Sequence, residues 1–321
     1  MQQPDSPVQG FHPLLLSRLR YGQGMFAALD QSGGSTPAAL ARYGVDASQY
    51  KNEEEMFELI HEMRLRVIKS PVFAGDRILA VILFTRTLKS SIQGRTIPQF
   101  LSGKGGIASF LKIDAGLEQT VDGVQLMKPI PDLPQTLAWA RGLGIVGTKM
   151  RSLIHATTEQ RIVEAVQQQL HWAEVIFAAG LFPIVEIELS TSLPDHIREL
   201  QELELRDAIL SALEQASGEL RVFLKLTIPV MAGTYTPLMG DPKVYRVLAL
   251  SGGFSRHRAC QLLAQNPGLI ASFSRALLED LHVQMSQADF DRILDHSIAE
   301  VIQATTDGMS SYEFGAKCSL G

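Results

Sequence analysis

Lys225 is the residue of this chain best placed to act as a nucleophile. It lies in Arg221-Val-Phe-Leu-Lys-Leu-Thr-Ile228, a run of strand composition closed by Pro229. Period 2 puts Val222, Leu224, Leu226 and Ile228 on one face and Phe223, Lys225 and Thr227 on the other, so the lysine is trapped among apolar neighbours. Burial disfavours the ammonium form, and a neutral amine attacks carbonyls. A lysine so placed also satisfies itself by pairing with a carboxylate or by reaching water at the strand end, and taken alone Lys225 does not separate these readings.

The remaining charges do separate them. Asp30, Lys112, Asp114, Lys149, Arg151, Glu186, Glu188 and Arg275 all fall in or just after the second half of a predicted strand. Period 2 sets Lys112 with Asp114, Lys149 with Arg151, and Glu186 with Glu188 on one face, while Leu111, Ile113, Met150, Val185, Ile187 and Leu189 point the other way. Ion-pair networks that plug a barrel perturb pKa values without doing chemistry. Buried pairs are poor stabilisers compared with apolar packing, however, so charge collected at one end of strand after strand argues for a reaction site.

Anion capture has its own residues. Ser251-Gly252-Gly253 follows the seventh predicted strand, and Ser272-Phe-Ser-Arg275 ends the eighth. Glycine lets backbone amides approach an oxyanion, serine adds hydroxyl donors, and arginine presents a planar fork. On the opposite rim, Lys112, Arg151 and the Ser32 to Ser35 loop supply the groups for a second phosphate. The eight histidines are scattered with no i, i+4 pair, and the two cysteines, Cys260 and Cys318, form no ligand motif, so no metal and no other cofactor is expected. With no metal to polarise a carbonyl, an amine catalyst is the natural substitute.

The elements that must hold these residues alternate. Strands are predicted at 24–30, 78–84, 110–114, 145–151, 182–189, 221–228, 244–250 and 269–275. Helices are predicted at 13–21, 52–69, 158–179 and 196–216, with a last one capped by Ser286 and Asp289; Asn52 and Glu55 are spaced like a capping box. About eight strand–helix units imply a parallel sheet closed into a single-domain (β/α)8 TIM barrel, whose C-terminal mouth is where the charges fall. An open doubly wound sheet is the competing architecture, but no Gly-x-Gly-x-x-Gly follows the first strand and no Walker A loop is present. The expected organisation is an N-terminal extension with a short helix over 1–21, the barrel over 22–305, and a flexible tail without helical pattern over 306–321, in which Tyr312 is the one tyrosine.

Composition narrows the partners. A chain of 321 residues with 45% hydrophobic and 20% charged residues is of ordinary globular type. Its net charge of −5 argues against nucleic acid, whose backbone needs a basic face. The longest apolar run, 175–185, is broken by Gly180 and Pro183, which argues against membrane insertion, and the N-terminus lacks the pattern of a signal peptide. Two cysteines without a disulfide framework fit a reducing cytoplasm. Oligomeric state is left open, a homo-oligomer included.

Seven segments carry a resemblance: AALDQSGGS (27–35), FLKID (110–114), GTKMRS (147–152), PIVEIE (183–188), LKLTIP (224–229), LALSGG (248–253) and ASFSRAL (271–277). In order and spacing the chain resembles the class I, Schiff-base fructose-1,6-bisphosphate aldolases, in particular their bacterial branch. The resemblance implies metal-independent, reversible cleavage of a phosphosugar, fructose 1,6-bisphosphate, to dihydroxyacetone phosphate and glyceraldehyde 3-phosphate. It makes Lys225 the lysine that forms the imine, Glu186 the general acid/base, and Lys149 the neighbouring cation that helps depress the nucleophile's pKa. Asp30 takes the place of the carboxylate that accepts the C4 hydroxyl proton, and Glu188 of one that orients the lysines. Ser251, Gly252, Ser272 and Arg275 correspond to the C1 phosphate site, with Ser35, Lys112 and Arg151 toward the other phosphate. Family members elsewhere end in a mobile tyrosine; here the chain ends Cys-Ser-Leu-Gly, and Tyr312 is the nearest counterpart. A Schiff-base aldolase for another phosphosugar and a non-catalytic sugar-phosphate binder are the alternatives.

Overall fold

The computed structural model describes residues 10–318, with backbone only at 33 and 308–318. Eight parallel strands follow one another around a barrel: β1 (Met25–Leu29), β2 (Ile78–Leu83), β3 (Ala108–Lys112), β4 (Gly147–Ile154), β5 (Phe182–Leu189), β6 (Val222–Thr227), β7 (Val244–Leu250) and β8 (Ile270–Ala271). Each pairs with the next, and Ala28 N–H donates to the Phe273 carbonyl at 3.0 Å, bringing the first strand to the last. The doubly wound alternative is thereby excluded, because sequential order with first and last strands adjacent has no switch point.

Period 2 sorts the sheet into two buried layers. Leu111, Met150, Val185, Ile187, Leu224 and Leu226 pack outward against the helices, while Phe26, Phe110, Phe182, Phe223 and Tyr245 fill the interior. Phe223 is the hub, its ring centroid 5.4 Å from Phe26, 5.6 Å from Phe110, 5.8 Å from Phe182 and 5.2 Å from Tyr245. Gly147 makes room for this layer, since a Cβ there would lie 2.1 Å from the Phe182 carbonyl oxygen and 2.5 Å from the Phe110 ring. The N-terminal mouth is stoppered by the helix Pro13–Tyr21. Its Leu19 joins the interior layer, Tyr245 Oη donates to the Leu16 carbonyl at 3.0 Å, and Arg246 Nη1 donates to the Gly22 carbonyl at 2.7 Å.

The long outer helices, Glu53–Lys69, Glu159–Ala178 and Asp195–Gln215, lie within a residue or so of their expected bounds. Asn52 caps the first by accepting the Glu55 N–H at 2.9 Å; Glu55 does not return to the cap but accepts the Lys51 N–H at 2.7 Å, so half of the capping box forms. Two expectations are corrected. The strand expected over 269–275 has regular ladder pairing only at Ile270–Ala271, with single bonds beyond it from Ser272 N–H to the Ala249 carbonyl at 2.8 Å and from Ala28 N–H to the Phe273 carbonyl, and Arg275 opens a short helix, Arg275–Leu278, preceded by Ser274. The tail expected to lack helix from 306 continues the last helix, Gln287–Cys318, whose apolar face, Phe290, Leu294, Ile298 and Val301, is buried and nucleates it. Residues 1–9 and 319–321, the Tyr312 side chain, and with them the expectation of mobile ends, lie outside the described residues.

Replacing the interior hub, Phe223→Ala, is expected to lower stability by about 3–5 kcal/mol, read from the urea midpoint of unfolding by circular dichroism. A shift near zero would show that the aromatic layer is not what supports the barrel.

Candidate active site

At the C-terminal mouth a cavity of about 620 Å³ opens among the strand ends, and all twelve residues singled out by the sequence line it. Their placement follows from register. Glu186 on β5 is paired with Lys225 on β6, Arg151 on β4 with Glu186, and Lys112 on β3 with Lys149 on β4. Neighbouring parallel strands thus set the cations and carboxylates side by side, pointing the same way.

Lys149 sits at the centre. Its Nζ is 2.7 Å from Asp30 Oδ2, 2.9 Å from Glu186 Oε2 and 3.9 Å from Asp114 Oδ2. Glu186 is bidentate: its second oxygen, Oε1, lies 3.1 Å from Lys225 Nζ. One carboxylate therefore bridges two lysines, and Lys225 is only 3% exposed. Lys112 Nζ donates to the Asp114 carboxylate and, at 3.0 Å, to its carbonyl. Arg151 grips Glu188 Oε2 through Nε at 2.8 Å and Nη2 at 2.7 Å, so Glu188 is held by the arginine rather than by a lysine. Three buried lysines face three buried carboxylates.

The electrostatics follow from that packing. Burial alone would push the Asp30 carboxyl up, but Lys149, Lys225 and Lys112 more than reverse it and hold it well below the usual carboxylate range. Glu186 is likewise lowered, burial being outweighed by Lys149 and Lys225. Burial opposes the Lys149 ammonium, yet Asp30, Glu186 and Asp114 raise its pKa above that of a free lysine. Burial and the neighbouring Lys149 charge lower that of Lys112. Lys149 thus remains a cation and Glu186 an anion around neutral pH.

On one rim Ser251 and Gly252 end β7, with Ser272 and Arg275 beside them past β8. Gly252 and Gly253 have φ of 59° and 111°, a left-handed turn that exposes backbone amides, and Thr191 Oγ1 donates to the Gly252 carbonyl at 2.6 Å to fix it. The Arg275 guanidinium lies against Gly253, 3.4 Å from where a Cβ would be. Ser272 Oγ is buried and has no partner among the described residues. Across the cavity stand Lys112, Arg151 and Ser35, the last with its hydroxyl donating to the Ser32 carbonyl at 3.1 Å.

The cavity also includes residues to which the spacing argument assigns no role. Asp114 completes the ring around Lys149. Gln31 donates through Nε2 to Ser274 Oγ at 2.7 Å and ties the loop after β1 to the loop after β8. Arg42 lines the wall from the helix Thr36–Arg42. That helix has a legible start in Pro37, but its seven residues are too few for periodicity to show.

Comparison with known proteins bears on this geometry. No protein-family model matches the chain. The class 1 fructose-bisphosphate aldolase of Porphyromonas gingivalis is 46% identical over 290 residues, covering 90% of this chain and 98% of that relative. The chain belongs to the class 1 fructose-bisphosphate aldolases. Among solved structures, the fructose-bisphosphate aldolase of Plasmodium falciparum superposes with a TM-score of 0.74 at 19% identity, over 92% of this chain and 94% of the other, a likeness of fold.

The lowered carboxylates have a consequence in acid. A carboxyl whose folded pKa lies below its unfolded value contributes stability that is fully present above about pH 4 and is lost as pH falls toward the folded pKa. Asp30→Asn is therefore expected to make stability less steep in pH below about 4, by up to about 1.4 kcal/mol per pH unit. Urea unfolding of both proteins between pH 5 and 2.5 reads this; parallel acid limbs would show that Asp30 does not bear the Lys149 charge.

Proposed function

We propose that this aldolase cleaves fructose 1,6-bisphosphate reversibly into dihydroxyacetone phosphate and glyceraldehyde 3-phosphate through an imine on Lys225. The observation that carries the assignment of residues is the Glu186 carboxylate lying between Lys225 and Lys149. A lysine must give up a proton before it attacks, and Glu186 Oε1 at 3.1 Å is an acceptor in reach. Nζ adds to the C2 carbonyl carbon, and the carbonyl oxygen becomes the carbinolamine hydroxyl. Glu186 then returns a proton to that hydroxyl, which leaves as water, and the protonated imine remains.

The imine is the electron sink. Asp30, ionised and turned into the cavity, takes the C4 hydroxyl proton; the C3–C4 bond breaks, its electron pair flows into the imine, and glyceraldehyde 3-phosphate departs as the aldehyde. Protonation of the resulting enamine at C3 and hydrolysis of the imine release dihydroxyacetone phosphate and restore Lys225. Lys149 keeps Asp30 and Glu186 ionised and in place, and Glu188 acts with Arg151 at the edge of the group.

The two phosphates fit the two rims. Ser251, the Gly252 amide, Ser272 and Arg275 form the site for the C1 phosphate, where an incoming oxygen would satisfy the buried Ser272 hydroxyl. Ser35, Lys112 and Arg151 face the C6 phosphate. Such a role belongs to sugar breakdown and its reversal in the cytoplasm. A non-catalytic binder of the same sugar phosphate would not require a carboxylate between two buried lysines.

Sodium borohydride added with fructose 1,6-bisphosphate is expected to fix a covalent adduct on Lys225, seen by peptide mass spectrometry, with no adduct and no turnover in Lys225→Ala. Glu186→Gln should lower kcat by about 10²–10⁴-fold, and a chelator should leave the rate unchanged. Inactivation by EDTA with no trapped lysine would reject the reading. Arg275→Ala should reduce kcat/KM by about 10- to 100-fold, mainly through KM; an unchanged KM would move the C1 phosphate elsewhere.

A further inference from the structure

Outside the cavity, a second pair of buried charges lies behind the strand that carries Lys225. Arg198 and Glu202, one turn apart on the helix Asp195–Gln215, are 2% and 0% exposed. Arg198 Nε donates to Glu202 Oε1 at 2.9 Å. Both then reach the loop that leaves β6: Glu202 Oε2 accepts the Val230 N–H at 2.8 Å, and Arg198 Nη2 donates to the Ile228 carbonyl at 3.3 Å. The other face of the guanidinium lies under the Phe254 ring, 5.3 Å from its centroid. Phe254 is no bystander, since its N–H donates to the Ser251 carbonyl at 2.9 Å and so closes the turn that presents Gly252.

Buried pairs are seldom the stabler choice against apolar packing of equal volume. Burial opposes the ionised Glu202 strongly, pushing its carboxyl up to about 7 although the Val230 N–H and Arg198 pull the other way. Tyr235, also buried, comes from the same loop and faces Glu202, while Glu199 adds a further negative charge from the helix. A leucine–methionine pair would fill this space at lower electrostatic cost. What the ions supply instead is direction: one fork-shaped cation and one carboxylate fix a carbonyl and an amide of the loop after β6 and the aromatic ring of a second loop at once.

Resting on the Schiff-base reading above, we propose that Arg198 and Glu202 are positioning residues, a clamp that sets the exit of the Lys225 strand against the Ser251–Phe254 phosphate loop. Glu202 acts on the strand exit, through Val230, three residues past Thr227. Arg198 acts on both, and Phe254 transmits its position to the anion site. Neither charged residue touches the substrate cavity.

The test separates strand from loop in the full-length enzyme. Activity is expressed per folded chain, with folding checked by circular dichroism and the unfolding midpoint. Glu202→Leu should lower kcat and the borohydride-trapping rate with fructose 1,6-bisphosphate at least tenfold, and Glu202→Gln, which keeps an acceptor for the Val230 amide, should recover most of that loss. Phe254→Leu should raise KM at least threefold and change kcat less than twofold. A purely structural pair would lower the unfolding midpoint and leave kcat, KM and trapping within twofold of wild type, which would overturn the proposal. If Glu202→Leu does not fold, Phe254→Leu decides: a KM within twofold of wild type overturns it equally. Wild-type protein that neither traps substrate nor turns it over would sink both readings, whereas normal wild-type trapping with unaffected variants sinks only the clamp.

Discussion

One ammonium holds the mouth of the barrel together. Lys149 is within ion-pair distance of Asp30, Glu186 and Asp114, residues brought in from the ends of three other strands. Without it, three buried carboxylates would face one another across a few ångströms, and like charges in so dry a place cannot all stay ionised. With it, Asp30 and Glu186 are held ionised and all three are aimed. Glu186 gains most, because its two oxygens are divided between a permanent cation and Lys225. The bridging carboxylate is then a fixed reference for the lysine next to it and stands in reach of its proton, as the proposed reaction needs.

Such a concentration of charge destabilises the end of the barrel that contains it, and the opposite end compensates. Below the ions lies the aromatic layer centred on Phe223, two residues before Lys225 on the same strand face. Below that, the helix Pro13–Tyr21 closes the barrel, pinned by Arg18, whose guanidinium donates to the carbonyls of Gly105 and Ile78 at 2.8 and 2.9 Å. Along β1, β3, β4, β5 and β6 the inward face therefore runs from uncharged residues at the N-terminal end to ionic ones at or just past the C-terminal end. Short strands whose inward residues change character midway are what a reaction site on this fold requires.

That gradient is also why so much was legible without coordinates. In Phe223-Leu-Lys225 and Phe110-Leu-Lys112 the alternation of aromatic, aliphatic and charged residues gives strand, face and depth together, and adjacent register does the rest. What stayed hidden depends on contacts distant in sequence. That Glu188 belongs to Arg151 and not to a lysine is a matter of side-chain reach across β4 and β5. The ring of Asp114 around Lys149, and the tie from Gln31 to Ser274 across 243 positions, have no local pattern. The eighth strand stops short of its expected end: Ala271-Ser-Phe-Ser has strand-like alternation, but the chain bends at Ser274 and turns into the helix at Arg275. The last helix was cut short because Gly308 and the serines after it weaken propensity, although the packed face from Phe290 to Val301 carries the helix through.

The distribution of residues between strands and loops divides the work by the precision each part needs. The proton transfer and covalent attack proposed for Glu186 and Lys225 tolerate errors of only a few tenths of an ångström, and Lys149, Glu186 and Lys225 all sit within ladder-paired strands, where both neighbours fix the backbone. A phosphate is a broad target with several equivalent oxygens, so the amides and hydroxyls proposed to meet it, from Ser251, Gly252 and Ser272, can stand at the less regular ends of β7 and β8. A turn, however, has few hydrogen bonds of its own to keep it in register with the strands. Thr191 on the Gly252 carbonyl and Phe254 over Arg198 supply that registration from the neighbouring β5 loop and the helix after it. The proposed anion site is thereby referred back to the same part of the barrel that carries Glu186 and Lys225, and its distance from the Lys225 amine is set by packing.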